Sequence, residues 1–150
     1  MNKFYETDSD NVEFIEKIFE QVFPLENIPC KVFSVEKQSE IVKCKKSSEE
    51  AEFIAKKDPM LQIIVMEDAF NRLDDKTKEF VVRKGLQGVS YNMEKGQIRI
   101  NNDLVANICE LRHTEQYSNT TEFMNMLESE KACIQQVLED KKQAKDKTQA

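Results

Sequence analysis

Long apolar runs, glycine, proline and histidine are all scarce in this chain, and each shortage removes a class of protein. The most apolar run, MLQIIVM at residues 60–66, falls far short of the roughly 18 apolar residues of a membrane span. The opening MNKFYETDSDN lacks the apolar stretch of a signal peptide, so a cytoplasmic protein with no membrane partner is expected. Three glycines and three prolines in 150 residues exclude collagen-like and low-complexity chains, and no glycine-rich phosphate loop is present. Basic charge is in deficit as well. With 22 Lys and Arg against 28 Asp and Glu, a net charge of −6 argues against general binding to a phosphate backbone, which needs clustered cations to displace counterions. A protein partner is favoured over nucleic acid. The four cysteines, Cys30, Cys44, Cys109 and Cys133, form no Cys-x-x-Cys pair, and in a reducing compartment they read as small buried or partly buried thiols. The sequon Asn119-Thr120-Thr121 then carries no glycan.

What is present is ample for one core: hydrophobic residues make up 39% and charged residues 33% of a chain of single-domain length. DNVEFIEKIFEQVF places Phe14, Ile15, Ile18, Phe19, Val22 and Phe23 at helical spacing, with Asp10 and Glu13 set as a capping box. KVFSVEK and EIVKCKK read as two short strands, expected to pair as a hairpin across Lys37 to Ser39. A short helix is expected at EEAEFIAKK, closed by Asp58-Pro59. MLQIIVM, rich in branched side chains, reads as a buried central strand. A helix capped by Asp74 or Asp75 is expected to run to about Val89. A turn at Glu94-Lys95-Gly96 then leads into a strand carrying Ile98 and Ile100. Two helices follow, DLVANICELRH and, opened by Asn119 with Glu122 three residues on, EFMNMLESEKACIQQVLED. The expected fold is α+β, about four strands with about five helices, in a single domain over residues 1–140. KKQAKDKTQA, 141–150, is expected to fray as a charged tail.

Two of the three glycines, Gly85 and Gly88, stand three residues apart in VVRKGLQGVSYN, inside the third of these helices. Each costs about 1 kcal/mol relative to alanine in a helix interior, so the pair requires a reason. One is close packing against a neighbouring element; another is that Gly88 ends the helix as a C-terminal cap.

The order strand, acidic loop, helix, turn, strand, helix across residues 58–113 resembles the phage metallopeptidases, a family of small zincin-like proteins whose helix carries His-Glu-x-x-His. Here KEFVVRKGLQGV stands where the motif helix would be. The resemblance implies that Lys84, Gly85 and Gly88 occupy the metal-site positions of that helix, and that Asn102 takes the place of the third ligand. Two imidazoles one turn apart, a glutamate and a third ligand are what a catalytic zinc needs. A protonated ammonium cannot ligate zinc, glycine offers no side chain, and the single histidine, His113, lies on a later helix. The resemblance thus implies a catalytically dead scaffold with no cofactor, phage-encoded, acting in the host cell cytoplasm by binding a host or viral protein.

A candidate partner surface combines Met124 and Met126 on the last helix with Lys84 and Gly88, because methionine-rich faces adapt to several shapes. Two other readings remain open. Cys109 and His113 are four apart on a helix and share a face, so that with Cys30 and Cys44 they offer an alternative zinc set. Lys43, Lys45, Lys46, Lys56 and Lys57 form the one local basic concentration and would suit a nucleic-acid or transcription accessory factor. Glu67, Asp68, Asp74 and Asp75 are clustered carboxylates that read as helix caps and a solvated loop.

Overall fold

The apolar run at 60–66 takes the centre of the main sheet in the computed structural model, which describes residues 3–24, 28–46 and 60–149. Strand β1 spans Phe4–Tyr5, β2 Cys30–Val35, β3 Val42–Lys46 and β4 Leu61–Val65, and the sheet order is β1-β2-β4-β3. Leu61, Ile63 and Val65 are fully buried, as expected of a strand whose both edges are paired and whose both faces are apolar. β2 runs parallel to β4, from Cys30 opposite Leu61 to Ser34 opposite Val65. β3 runs antiparallel along its other edge, with Val42 opposite Val65 and Lys46 opposite Leu61.

The expected hairpin between β2 and β3 therefore does not form. β4 lies between them, because a strand apolar on both faces gains most from having partners on both sides. Gln38 secures the crossing between them: its side-chain amide donates to the carbonyls of Ile41 and Ile64 at 3.1 and 2.9 Å. The helix expected at 49–57 lies outside the described residues.

Helix α1 spans Ser9–Val22 and buries Ile15, Ile18 and Phe19 as its periodicity requires. Its cap is Asp8, whose carboxylate accepts from the Asp10 N–H at 3.1 Å, two residues ahead of the cap, Asp10, read from the sequence. A short helix α2 (Glu67–Phe70) leads to α3 (Asp75–Leu86), capped by Asp74 accepting from the Thr77 N–H. α3 stops at Leu86 rather than Val89, since Val89 opens a hairpin of β5 (Val89–Asn92) and β6 (Gln97–Ile100). Gly96 turns that hairpin at φ 61°, a conformation that glycine adopts without strain. Helix α4 (Leu104–Arg112), capped by Asp103, and a 3₁₀ turn (Glu115–Tyr117) lead to α5 (Thr120–Gln149). Asn119 caps α5 by accepting from the Glu122 N–H at 3.1 Å.

α5 continues through the segment expected to fray, as far as Gln149. Lysine, glutamine and alanine are good helix formers. At the base of the extension Lys141 donates to the Glu36 carbonyl at 2.6 Å and pairs with Asp68 at 2.8 Å. The core joins the sheet to these helices through Phe70, Phe80 and Phe123, all with at most 1% exposure, and the Phe80 and Phe123 rings meet edge to face at 5.3 Å. Among the described residues five α-helices, a mixed four-stranded sheet and a two-stranded one make the fold α+β. No helix among the described residues is long and apolar enough to cross a membrane.

Candidate functional site

Both glycines of the α3 terminus are explained by what lies against them. A β-carbon on Gly85 would come within 2.9 Å of both the carbonyl oxygen and a methyl of Val42, so α3 rests directly on the backbone at the start of β3. A β-carbon on Gly88 would lie 2.3 Å from the carbonyl oxygen of Asn101. Gly88 is no C-terminal cap: α3 ends with Gln87 in right-handed helical geometry, and among the glycines only Gly96 has positive φ. Instead the Gly88 carbonyl accepts from the Asn101 N–H at 2.8 Å, which extends the β5–β6 pairing by one step. The Asn107 side-chain amide donates to the Asn101 carbonyl, also at 2.8 Å, and pins the start of α4 to the same corner.

These contacts frame a cleft of about 330 Å³ between β3 on one side and the end of β6 with the start of α4 on the other. Lys43, Cys44 and Lys45 of β3 form one wall, Ile100, Asn101, Asn102 and Leu104 the other, and Lys84, Gly85 and Gly88 the floor. The four positions marked by the family resemblance, Lys84, Gly85, Gly88 and Asn102, thus all line this cleft. Lys84 is 5% exposed. Its ammonium meets Glu130 of α5 at 2.5 Å and Glu40 at 3.6 Å, while the second oxygen of Glu130 accepts from the Ile41 N–H at 3.2 Å. This buried cluster ties α3, α5 and the approach to β3 together. Lys84 is therefore not part of an exposed partner surface: its charge is spent inside the molecule.

Cys44 is the one cysteine among the described residues that lines the cleft, and burial, aided by Cys30 and Glu40, pushes its thiol up to about 12. At neutral pH it stays protonated and is a poor nucleophile. Cys30 and Cys133 are partly buried, with burial raising both thiols, whereas Cys109 is exposed, unlike the sequence expectation for all four. His113 ends α4, also exposed. Among the described residues no group of three or more His, Cys, Asp or Glu is placed to hold a metal ion, so Cys109, His113, Cys30 and Cys44 do not converge. Of the basic concentration, Lys56 and Lys57 lie outside the described residues.

The methionine face also divides. Met124 is 48% exposed, but Met126 is 6% exposed and faces the core, because α5 turns the Phe123, Met126, Ile134 and Val137 side inward. The acidic cluster divides too. Asp74 caps α3, while Glu67, expected in a solvated loop, is buried. Its carboxylate accepts from the Asn11 amide at 2.6 Å, the Asp8 N–H at 3.0 Å and the Ser34 hydroxyl at 3.0 Å. A signal for the Lys84–Glu130 pair was available in the sequence: Lys84 falls on the same stripe as Phe80 and Val81, and Glu130 on that of Leu127 and Ile134, a charge of each sign at an apolar position.

No family model, curated protein or solved structure matches this chain.

Proposed function

We propose that this protein is a non-enzymatic protein-interaction factor, built on a zincin-like scaffold that has lost its metal site, and that the cleft at the end of α3 receives a host or viral protein. In this reading the chain is phage-encoded and works in the host cytoplasm. One observation carries it: the four positions that the resemblance marks as the site of a zinc and its water line a single cleft. What they present there is an ammonium neutralised by Glu130 and Glu40, two glycines pressed against backbone, and an amide. Such a lining offers shape and hydrogen bonds, and supports recognition over bond cleavage.

The test places a photo-crosslinking amino acid at Asn102, exposed on the cleft wall, and separately at Glu20, exposed on α1. In cells that produce the protein, irradiation is expected to join a defined protein to the Asn102 site and not to the Glu20 site. Crosslinking at neither position, or equally at both, would sink the assignment. So would zinc near one per chain that is lost in Cys109→Ser, which would make the Cys and His set the functional site.

A further inference from the structure

Among the described residues β3 is the last strand of its sheet, hydrogen-bonded to β4 alone; on its other side α3 rests on Val42 and β6 passes by, with the cleft opening between them. Its alternation can be read from one bond. The Met66 N–H donates to the Ile41 carbonyl at 2.8 Å, so in antiparallel pairing that carbonyl and the backbone groups of Lys43 and Lys45 point to β4. Those of Val42, Cys44 and Lys46 point to the other side. The Val42 carbonyl, closed off by Gly85, lies on that outer side. One step further along, the same alternation turns the backbone of Cys44, a residue that lines the cleft, to the outer side.

The charge of the cleft has one sign left over. Among the described residues its charged side chains are Glu40, Lys43, Lys45 and Lys84, and Lys84 is engaged with Glu40 and with Glu130. Lys43 and Lys45 are exposed, two residues apart on one face of the strand, and neither makes an ion pair within the described residues. An extended peptide has side chains at that same two-residue repeat and main-chain groups that complement a strand edge.

We propose that the cleft takes an extended acidic segment of its protein partner, laid along the outer edge of β3, with alternate carboxylates on Lys43 and Lys45 and main-chain bonds to Cys44. This rests on the interaction reading above and names the chemistry of the partner. A nucleic acid would also bring negative charge, but single strands are held by stacking on aromatic rings, and among the described residues no aromatic side chain lines the cleft. The overall charge of −6 also opposes a polyanion, while a short acidic segment meets only the local pair.

The probe is a dye-labelled peptide of four Glu-Val repeats, followed by fluorescence anisotropy at low salt. It is expected to bind, to weaken as salt is raised, and to lose roughly tenfold in affinity or more with Lys43→Glu/Lys45→Glu, at the scale of two exposed charge contacts. Both lysines are exposed, so the variant should retain its circular dichroism spectrum. Lys43→Gln/Lys45→Gln, which removes charge without reversing it, should give a smaller loss. A version methylated on alternate backbone nitrogens should bind more weakly, and four Lys-Val repeats should not bind. The proposal fails if the Glu-Val peptide does not bind, if the Lys-Val peptide binds equally, or if charge reversal leaves affinity unchanged. Binding of a thymidine 20-mer that is abolished by the same reversal, with the peptide silent, would give the cleft to nucleic acid. The two readings separate cleanly: a persistent crosslink at Asn102 that the Glu-Val peptide does not block leaves the interaction factor standing and removes the acidic segment.

Discussion

Among the described residues two carboxylates are buried, Glu67 and Glu130, at 6% and 3% exposure, and they are held in opposite ways. Glu67 sits where β4 ends and α2 begins and is surrounded by neutral donors: the Asn11 amide, the Ser34 hydroxyl and the Asp8 N–H at the entry to α1. Asn11 also donates to Asn71, and Thr7 to or from Ser34, so the donors are themselves fixed. Glu130 accepts one backbone N–H, from Ile41, and otherwise leans on the Lys84 ammonium. The first is a charge dissolved in dipoles; the second is a charge balanced by a charge. Losing one donor leaves Glu67 with others, whereas losing Lys84 strands Glu130, and the cleft floor stands on that less redundant corner.

The largest expected effect follows from this. Lys84→Met should cost about 3–5 kcal/mol, the scale for a buried charge deprived of its partner, read from the urea midpoint by circular dichroism. Adding Glu130→Gln, which removes the stranded charge and keeps an acceptor for the Ile41 N–H, should recover most of that loss. A double variant no more stable than the single one would show that Glu130 was never dependent on Lys84. Next in size is Glu67→Gln, which turns one acceptor oxygen into a donor facing other donors. About 1–3 kcal/mol is expected from the same denaturation curve, and a loss equal to that of Lys84→Met would erase the distinction between the two corners.

The smallest effect concerns a carboxylate outside both corners. The hydrogen bond with Thr77 holds the Asp74 carboxyl below its usual range, so its contribution is complete above the unfolded value near 3.9 and is lost as pH falls through the lower folded value. Asp74→Ala should cost about 1 kcal/mol at neutral pH. The difference from the unaltered protein should shrink as stability is measured at successively more acid pH; a difference independent of pH would assign the effect to something other than the ionised cap.

Local signals in the sequence carried much of this fold. The apolar run at 60–66 is the central strand, and Asp74, Asp103 and Asn119 cap helices through their own side chains. Gly96 makes the one turn that needs a left-handed residue. What local pattern could not give was pairing. β2 and β3 are neighbours in the chain and strangers in the sheet, because the strand that separates them is supplied by residues further on. The site shows the same split. Gly85 and Gly88 invited a packing explanation from sequence alone, but that their neighbours are the carbonyls of Val42 and Asn101 is a matter of which backbones meet. Lys84 and Glu67 read as surface charges in the sequence, yet each is buried by partners remote in the chain: Glu130 for one, Asn11 and Ser34 for the other.

The strand order also bears on how the protein comes off the ribosome. Synthesis proceeds from the N-terminus, yet β2 and β3 share no hydrogen bonds with each other and are joined only once β4 emerges. Until residue 65 clears the exit tunnel, β2 has only the two-residue strand β1 beside it and β3 has no partner. Lys84 waits longer still for Glu130. The nascent chain therefore passes through a window in which its sheet is limited to β1 and β2, and the central strand closes that window by joining both of its neighbours at once.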